Sequence, residues 1–370
     1  MRIVLQILAI LIVGAALFGV SRHVGRSRSA RANHDANGAA AGLVVVHDAR
    51  PKMGTIWEIT IATRDRPRRE VSRVVDEAFV EIARVDQALS DWRDGTELFE
   101  VNRQAGFGPV AVSQDMYEVV ERAHHFSEIS NGAFDITFNV MWGVWDFKTR
   151  PARLPDAAEI SRRLPLINYR NVIFDADART VFLRRRGMKL GLGGIGKGYA
   201  VDRVCMLLEK YGMRHYIVAG GGDIRVSGSR GKEPWRMAVK HPRRQGVLYL
   251  LDMTDVAIAT SGDYERYFVL DGERYHHILD PKTGHPARGL SSVTIIAPRA
   301  TDADALSTAV FVLGLGKGMA LLETIPAVEA IIVDLELRPF LTDGLQVTRA
   351  TSVGTPIVRR ARMQDDRSEG

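Results

Sequence analysis

Apolar and polar positions recur along this chain at two periods, and each period predicts a different kind of element. The longest apolar stretch comes first: Ile3–Val20 is interrupted only by Gln6. A run of that length is short for a membrane span and long for the apolar part of a signal peptide. Its place at the N-terminus between arginines points to export or anchoring. The small-residue exits Ala15-Ala16 and Ser29-Ala30 are weak cleavage signals, so the expectation is an uncleaved anchor over residues 1–22. Arg22, Arg26, Arg28 and Arg31 follow the run. The positive-inside rule would hold that flank in the cytoplasm, which conflicts with exporting what comes after it. Residues 23–42, small, polar and rich in Gly and Ala, read as a flexible linker.

From Leu43 onward the periods change every ten to twenty residues. Leu43–His47 and Thr55–Ala62 alternate as strands around a Met53-Gly54 turn. Val74–Leu89 carries Val75, Phe79, Ile82, Val85 and Leu89 at helical spacing, and Tyr117–Ile129 repeats that pattern. Val172–Phe174 and Val181–Leu183 flank Asp175-Ala176-Asp177 as a hairpin. Further strands are predicted at His215–Ala219, Ile224–Ser227, Trp235–Lys240, Val247–Leu251, Val256–Thr260, Tyr267–Leu270, Tyr275–Leu279 and Ser292–Ile296. Helices are predicted at Ile195–Tyr211, Ala303–Leu313 and Met319–Ile325. Strands outnumber helices and come in neighbouring pairs joined by turns. That predicts an α+β fold, a single domain over residues 43–350 built of mixed, mainly antiparallel sheets with packed helices, and a polar tail over 351–370.

Composition narrows the function. The chain has 370 residues, 46% hydrophobic and 25% charged, the proportions of an ordinary globular protein. Its net charge of +6 sits at the ends: residues 1–50 hold six Arg against two Asp, and 51–350 is nearly balanced. With no basic face and no aromatic RNA-binding pattern, no nucleic acid is expected as a partner. The single cysteine, Cys205, rules out an internal disulfide framework and any multi-cysteine metal site; inside a predicted helix it reads as a buried structural thiol.

Four segments could carry chemistry. Gly191-Leu192-Gly193-Gly194-Ile195-Gly196-Lys197-Gly198 nearly spells a phosphate-binding P-loop, but Gly198 stands where Ser or Thr would hold magnesium, so an ATPase is rejected. A Gly-rich turn opening a helix still offers free N–H groups to an anion, or serves tight packing alone. Ala219-Gly220-Gly221-Gly222-Asp223 permits close approach by a ligand or another loop. In Thr301–Ala309, Asp304 and Thr308 form an i, i+4 pair of oxygen donors suited to a hard cation; the plain alternative is a helix start with Asp302 as N-cap. His276-His277, adjacent in a predicted strand, face opposite ways, so one faces a site and the other packs or meets solvent. Dense aromatics near Trp92, Phe134, Trp142 and Trp145 fit a stacked ring or a core.

The order of these segments is more specific than any one of them. Met53-Gly54-Thr55, Leu89-Ser90-Asp91-Trp92, Gly132-Ala133-Phe134-Asp135, Gly194–Asp202, Gly221-Gly222-Asp223, Ala259–Tyr264, His277–Gly284 and Asp304–Ala309 follow one another along the chain. Over roughly residues 43–345 this closely resembles the ApbE family of FAD:protein FMN transferases, whose fold is T-fold-like. The resemblance implies a Mg2+-dependent enzyme that cleaves the diphosphate of FAD. It joins the FMN phosphate to a Thr or Ser hydroxyl of an acceptor flavoprotein and releases AMP. It implies Asp304, Thr308 and a backbone carbonyl near Gly196 as metal ligands, and His277 as the base for the acceptor hydroxyl. Met53, Trp92, Asp135, Lys197 and Asp202 fall where the family contacts FAD, and Gly222 and Asp223 at the nucleotide end. Trp92 replaces the more common Tyr, and Gly196 the usual Ala. No acceptor-like Ser/Thr-Gly-Ala-Thr/Ser segment occurs in the chain, so the acceptor is expected to be another protein. Family members usually work outside the cytoplasm. That implies a periplasmic catalytic domain held to the inner membrane by the N-terminal segment. Two other readings fit the same residues: FAD hydrolysis to FMN and AMP, and flavin binding without catalysis.

Overall fold

Nine-residue strands that alternate inward and outward side chains open the fold. β1 (Val44–Lys52) and β2 (Thr55–Thr63) pair antiparallel around Met53-Gly54, both with positive φ (47° and 71°). A two-residue turn of this kind matches the right-handed twist of its strands. This is a computed structural model, and it describes residues 42–91, 93–147 and 151–349. The expected anchor (1–22), most of the linker (23–42), Trp92 and the tail (351–370) lie outside the described residues. The described residues belong to one compact unit that starts at Gly42.

The centre is an eight-stranded sheet in the order β1-β2-β6-β7-β10-β13-β14-β15, with β6 (Tyr216–Gly220), β7 (Asp223–Ser227), β10 (Val256–Gly262), β13 (Leu290–Ala297), β14 (Glu329–Asp334) and β15 (Pro339–Leu341). Every neighbouring pair is antiparallel. One face packs Trp57, Ile59, Val218, Ala259, Val293 and Ile295 against helices α1 (Arg68–Leu89), α5 (Gly196–Lys210) and α6 (Ala300–Leu322). The other face packs Ile258, Ile296 and Ile331 on Trp235, Met237 and Leu251 of β8 (Trp235–Lys240) and β9 (Val247–Met253). Covered on both faces, β13 is buried at every position, the polar Ser291, Ser292 and Thr294 included. Smaller sheets join β3 (Val110–Ala111), β5 (Thr180–Leu183) and β4 (Val172–Asp175), and β11 (Tyr267–Leu270) with β12 (Glu273–His276); β16 (Thr348–Arg349) adds to β9. The predicted α+β class and antiparallel pairing hold.

Several expectations need adjusting. The two helices predicted over Ala303–Leu313 and Met319–Ile325 are present within the run Ala300–Leu322, separated by a kink at Gly314, whose φ of 76° and ψ of 177° are not helical. By length and composition alone this helix could cross a membrane. Its N-terminal half is instead buried against β10 and β13. Because it starts at Ala300, Asp302 lies in the first turn rather than at the N-cap, and its carboxylate meets Arg122 at 2.8 Å. The predicted strand Tyr275–Leu279 stops at His276, where the chain turns and the Ile278 N–H is taken by the His276 ring. Pattern reading missed α2 (Glu97–Arg103) and α4 (Ala157–Arg163), too short for a clear period, and the edge pair β14–β15. α3 (Gln114–Ile129) begins three residues earlier than predicted, capped by Ser113.

Candidate active site

The Gly-rich segment does open a helix. Leu192 O accepts from the N–H groups of Ile195 and Gly196 (3.2 and 2.7 Å), folding the loop into the first turn of α5. Gly198 explains the missing P-loop hydroxyl. A Cβ there would lie 2.3 Å from Ala300 O and 2.9 Å from Asp304 Cβ, so only glycine lets α5 approach the start of α6 this closely. At Gly196 a Cβ would meet only ordinary contacts at 3.6 Å, consistent with Ala being usual there in the family. A Cβ on Gly194 would lie 3.3 Å from Thr308 Oγ1, which places this loop beside the middle of α6.

That approach gathers charge. The Gly198 N–H donates to Asp304 Oδ2 (3.1 Å), and Lys197 Nζ sits 2.5 Å from Asp223 Oδ2 and 3.5 Å from Asp304 Oδ2. Both carboxylates are almost fully buried. Burial works against the Lys197 ammonium, but the charges of Asp223 and Asp304 outweigh it and hold the lysine above its ordinary value. Burial, and then the Asp304 charge, push Asp223 up against the pull of Lys197. Two buried carboxylates therefore share one cation, and the site is short of positive charge. Among the described residues no three His, Cys, Asp or Glu side chains converge on a metal position. A divalent cation here would draw on carboxylate, hydroxyl and backbone oxygens, the donors hard cations prefer. Asp304 and the Thr308 hydroxyl on successive turns of α6 fit that requirement.

Two glycine turns close over the lysine. Gly221-Gly222, with φ of 62° and 100°, joins β6 to β7, and a Cβ on Gly221 would lie 3.0 Å from both Lys197 Cδ and Thr55 Cγ2. Thr55 follows the Met53-Gly54 turn, and β2 pairs with β6 from Trp57 opposite Gly220. The two hairpin ends thus reach the same end of the sheet as Lys197. Met53 is partly buried on the main core.

The two histidines have different surroundings and do not share one strand. His276 is buried edge-on against Phe311 with Nε2 at 2.9 Å from Ala287 O. The buried Nδ1 of His277 has no hydrogen-bond partner among the described residues. Burial, then the charges of Arg266 and His276 and, least, Lys197, lower its pKa to about 4. The ring is neutral near pH 7. A buried ring nitrogen without a partner needs an explanation, and a substrate atom supplies one.

Asp202 and Asp135 sit differently. Asp202 accepts from Ala300 N–H (3.0 Å), Thr301 N–H (2.9 Å) and the Thr301 hydroxyl (2.6 Å), and pairs with Arg225 at 3.1 Å. Asp135 accepts from Thr137 N–H, the Thr137 hydroxyl and Tyr169 N–H. Both carboxylates are engaged by their own chain, one anchoring the start of α6 and the other the turn after Phe134. Sequence reading gave no role to Ser261. Its Oγ lies 2.8 Å from Ser307 Oγ and 3.2 Å from Thr308 Oγ1. No local pattern could have shown this, because Ser261 and Ser307 are 46 residues apart and meet only where α6 packs on β10.

Known proteins share both the sequence and the fold. The ApbE family profile matches residues 53–332. A FAD:protein FMN transferase of Treponema pallidum is 36% identical over 311 residues, covering 79% of this chain and 85% of that relative. Another, from Klebsiella pneumoniae, is 34% identical over 255 residues, covering 68% and 79%. The crystal structure of an ApbE protein from Thermotoga maritima superposes with a TM-score of 0.74 at 34% identity, covering 81% of this chain and 98% of that one. The flavin transferase ApbE from Vibrio cholerae gives 0.73 at 28% identity, covering 81% and 97%. The chain belongs to the ApbE family.

Proposed function

We propose that this protein is a Mg2+-dependent FAD:protein FMN transferase. It moves the FMN moiety of FAD onto a Thr or Ser hydroxyl of a separate acceptor flavoprotein through a phosphoester bond and releases AMP. The observation that carries the reading is the cluster Lys197–Asp223–Asp304, short of positive charge, with Thr308 one helical turn beyond Asp304. The names of the relatives support flavin transfer. Asp304 and Thr308, with a backbone carbonyl near Gly196, would hold the cation. Bound there, Mg2+ would neutralise charge on the phosphoryl oxygens. Lys197 supplies a fixed positive charge beside the diphosphate. In the transfer the acceptor hydroxyl oxygen bonds to the FMN phosphorus, the phosphorus–oxygen bond to AMP breaks, and the hydroxyl proton passes to the neutral His277 ring. The anionic diphosphate near that ring raises its proton affinity when FAD is present, which counters the acid-shifted value of the free site.

The test is the intact mass of a candidate acceptor domain incubated with the protein, FAD and Mg2+, beside a chelator control. A Mg2+-dependent gain equal to FMN less water, with AMP released, is expected, and Asp304→Ala should give none. Free FMN and AMP without an acceptor adduct would indicate hydrolysis; unchanged FAD would indicate binding alone. We also propose, from the sequence of residues 1–22, that the catalytic domain is periplasmic and held at the inner membrane. Cell fractionation with protease accessibility checks this, and a protease-shielded domain in intact spheroplasts would overturn it.

A further inference from the structure

We infer that Ser261 and Ser307 form a one-way hydroxyl relay that turns the oxygen lone pairs of Thr308 toward the cation site. The inference deepens the magnesium reading above and rests on it. It follows from counting hydrogens. Three contacts link four groups: Thr308 Oγ1 to Ser261 Oγ at 3.2 Å, Ser261 Oγ to Ser307 Oγ at 2.8 Å, and Ser307 Oγ to Asp304 O at 2.9 Å. The three hydroxyls hold one hydrogen each. A carbonyl oxygen only accepts, so Ser307 must donate to Asp304 O. Ser307 then accepts from Ser261, and Ser261, its hydrogen engaged, accepts from Thr308. This is the one assignment that makes all three contacts hydrogen bonds. It draws the Thr308 hydrogen toward β10 and leaves its lone pairs free on the other side. A hydroxyl ligand needs that orientation, since a hydrogen aimed at a cation would repel it.

The relay also explains why three hydroxyl residues occupy a junction that is otherwise apolar, among Ala259, Ala303, Ala305, Leu306 and Ala309. Ser307 is buried and Ser261 half-buried. Ser307 ends on the carbonyl of Asp304, so the backbone of one proposed ligand fixes the hydroxyl of the other. Ser261 and Ser307 are positioning residues: they act through Thr308.

The test measures Mn2+ binding to the full-length protein by the loss of the free-ion electron paramagnetic resonance signal, alongside thermal melting. Ser261→Ala is expected to raise the Mn2+ Kd by about ten-fold, the range seen when partners of metal ligands are removed. Ser307→Ala should raise it too, although Ser307 lies one residue from Thr308 and acts only through Ser261, which would then turn its hydrogen toward Thr308. Thr260→Val is the control. It removes the neighbouring hydroxyl pair with Thr294 (2.8 Å) on the opposite face of β10 and should leave the Kd unchanged. Wild-type Mn2+ affinity in folded Ser261→Ala or Ser307→Ala would overturn the relay. If Asp304→Ala also binds Mn2+ as the wild type does, the magnesium reading itself fails, and the two failures are told apart.

Discussion

At the scale of single residues, glycines and one histidine decide the site. Gly198 and Gly196 are two positions apart, yet a methyl group at the first would strike Ala300 O at 2.3 Å and at the second would find ordinary contacts. Gly198→Ala should therefore lower stability by about 1–3 kcal/mol and abolish transfer, because backbone rather than a flexible side chain must move. Gly196→Ala should melt and turn over as the wild type does; thermal melting and acceptor labelling on the pair check both. His277→Ala should slow the chemical step by about 10²–10⁴-fold while flavin-fluorescence titration shows FAD affinity little changed. Lost affinity with unchanged turnover would make His277 a binding residue. The Gly-rich loop and the Asp304–Thr308 pair were legible as sequence because their spacing is local. Ser261 was not, because its contacts span 46 residues.

At the scale of elements, a single carboxylate ties α5 to the start of α6. Asp202, on α5, accepts from the first two N–H groups of α6, supplying from another helix the cap that Arg299 does not give. Asp202→Ala should cost about 1–2 kcal/mol, the worth of a helix cap, read from urea unfolding. If its carboxylate serves only α6, FAD affinity in the folded variant stays near that of the wild type. A large loss of FAD affinity at unchanged stability would instead place Asp202 against the nucleotide. The same scale shows where pattern reading failed. Both predicted helices in 303–325 exist as helical segments, but the bend between them is set by Gly314, whose φ of 76° no alternation rule reports. The strand predicted through His277 fails because a side-chain acceptor, His276 Nδ1, competes for the backbone N–H of Ile278.

For the whole molecule, the buried histidines contribute an acid-sensitive part of stability. Burial holds both His276 and His277 near a pKa of about 4, below the ordinary value of 6.5. Above pH 6.5 both rings are neutral folded or unfolded, and they add no pH dependence. As pH falls below 6.5 the unfolded chain takes up protons that the native protein refuses, so stability declines until about pH 4, by up to about 3 kcal/mol for each ring. Urea unfolding at pH 7.5 and pH 5 should show the loss, and His276→Asn should flatten part of it. The raised Asp223 carboxyl acts in the opposite sense over the same range, so the test is the difference between the two proteins: an equal change in wild type and His276→Asn would show that the His276 ring is not held neutral by burial.

The sequence by itself determined the class of fold, most strand and helix positions, the order of the site segments and the family. These depend on local periodicity, on turn chemistry such as Met53-Gly54, and on short-range spacing such as Asp304 to Thr308, all properties of neighbours along the chain. Only the tertiary structure decided that Lys197 lies between Asp223 and Asp304, that Asp202 and Asp135 hold backbone, and that His277 is neutral with an unpartnered nitrogen. Those facts depend on which distant segments the eight-stranded sheet brings together and on how completely it removes them from water. Burial and the fields of distant charges, which fix protonation and hydrogen-bond partners, have no signature in a linear pattern.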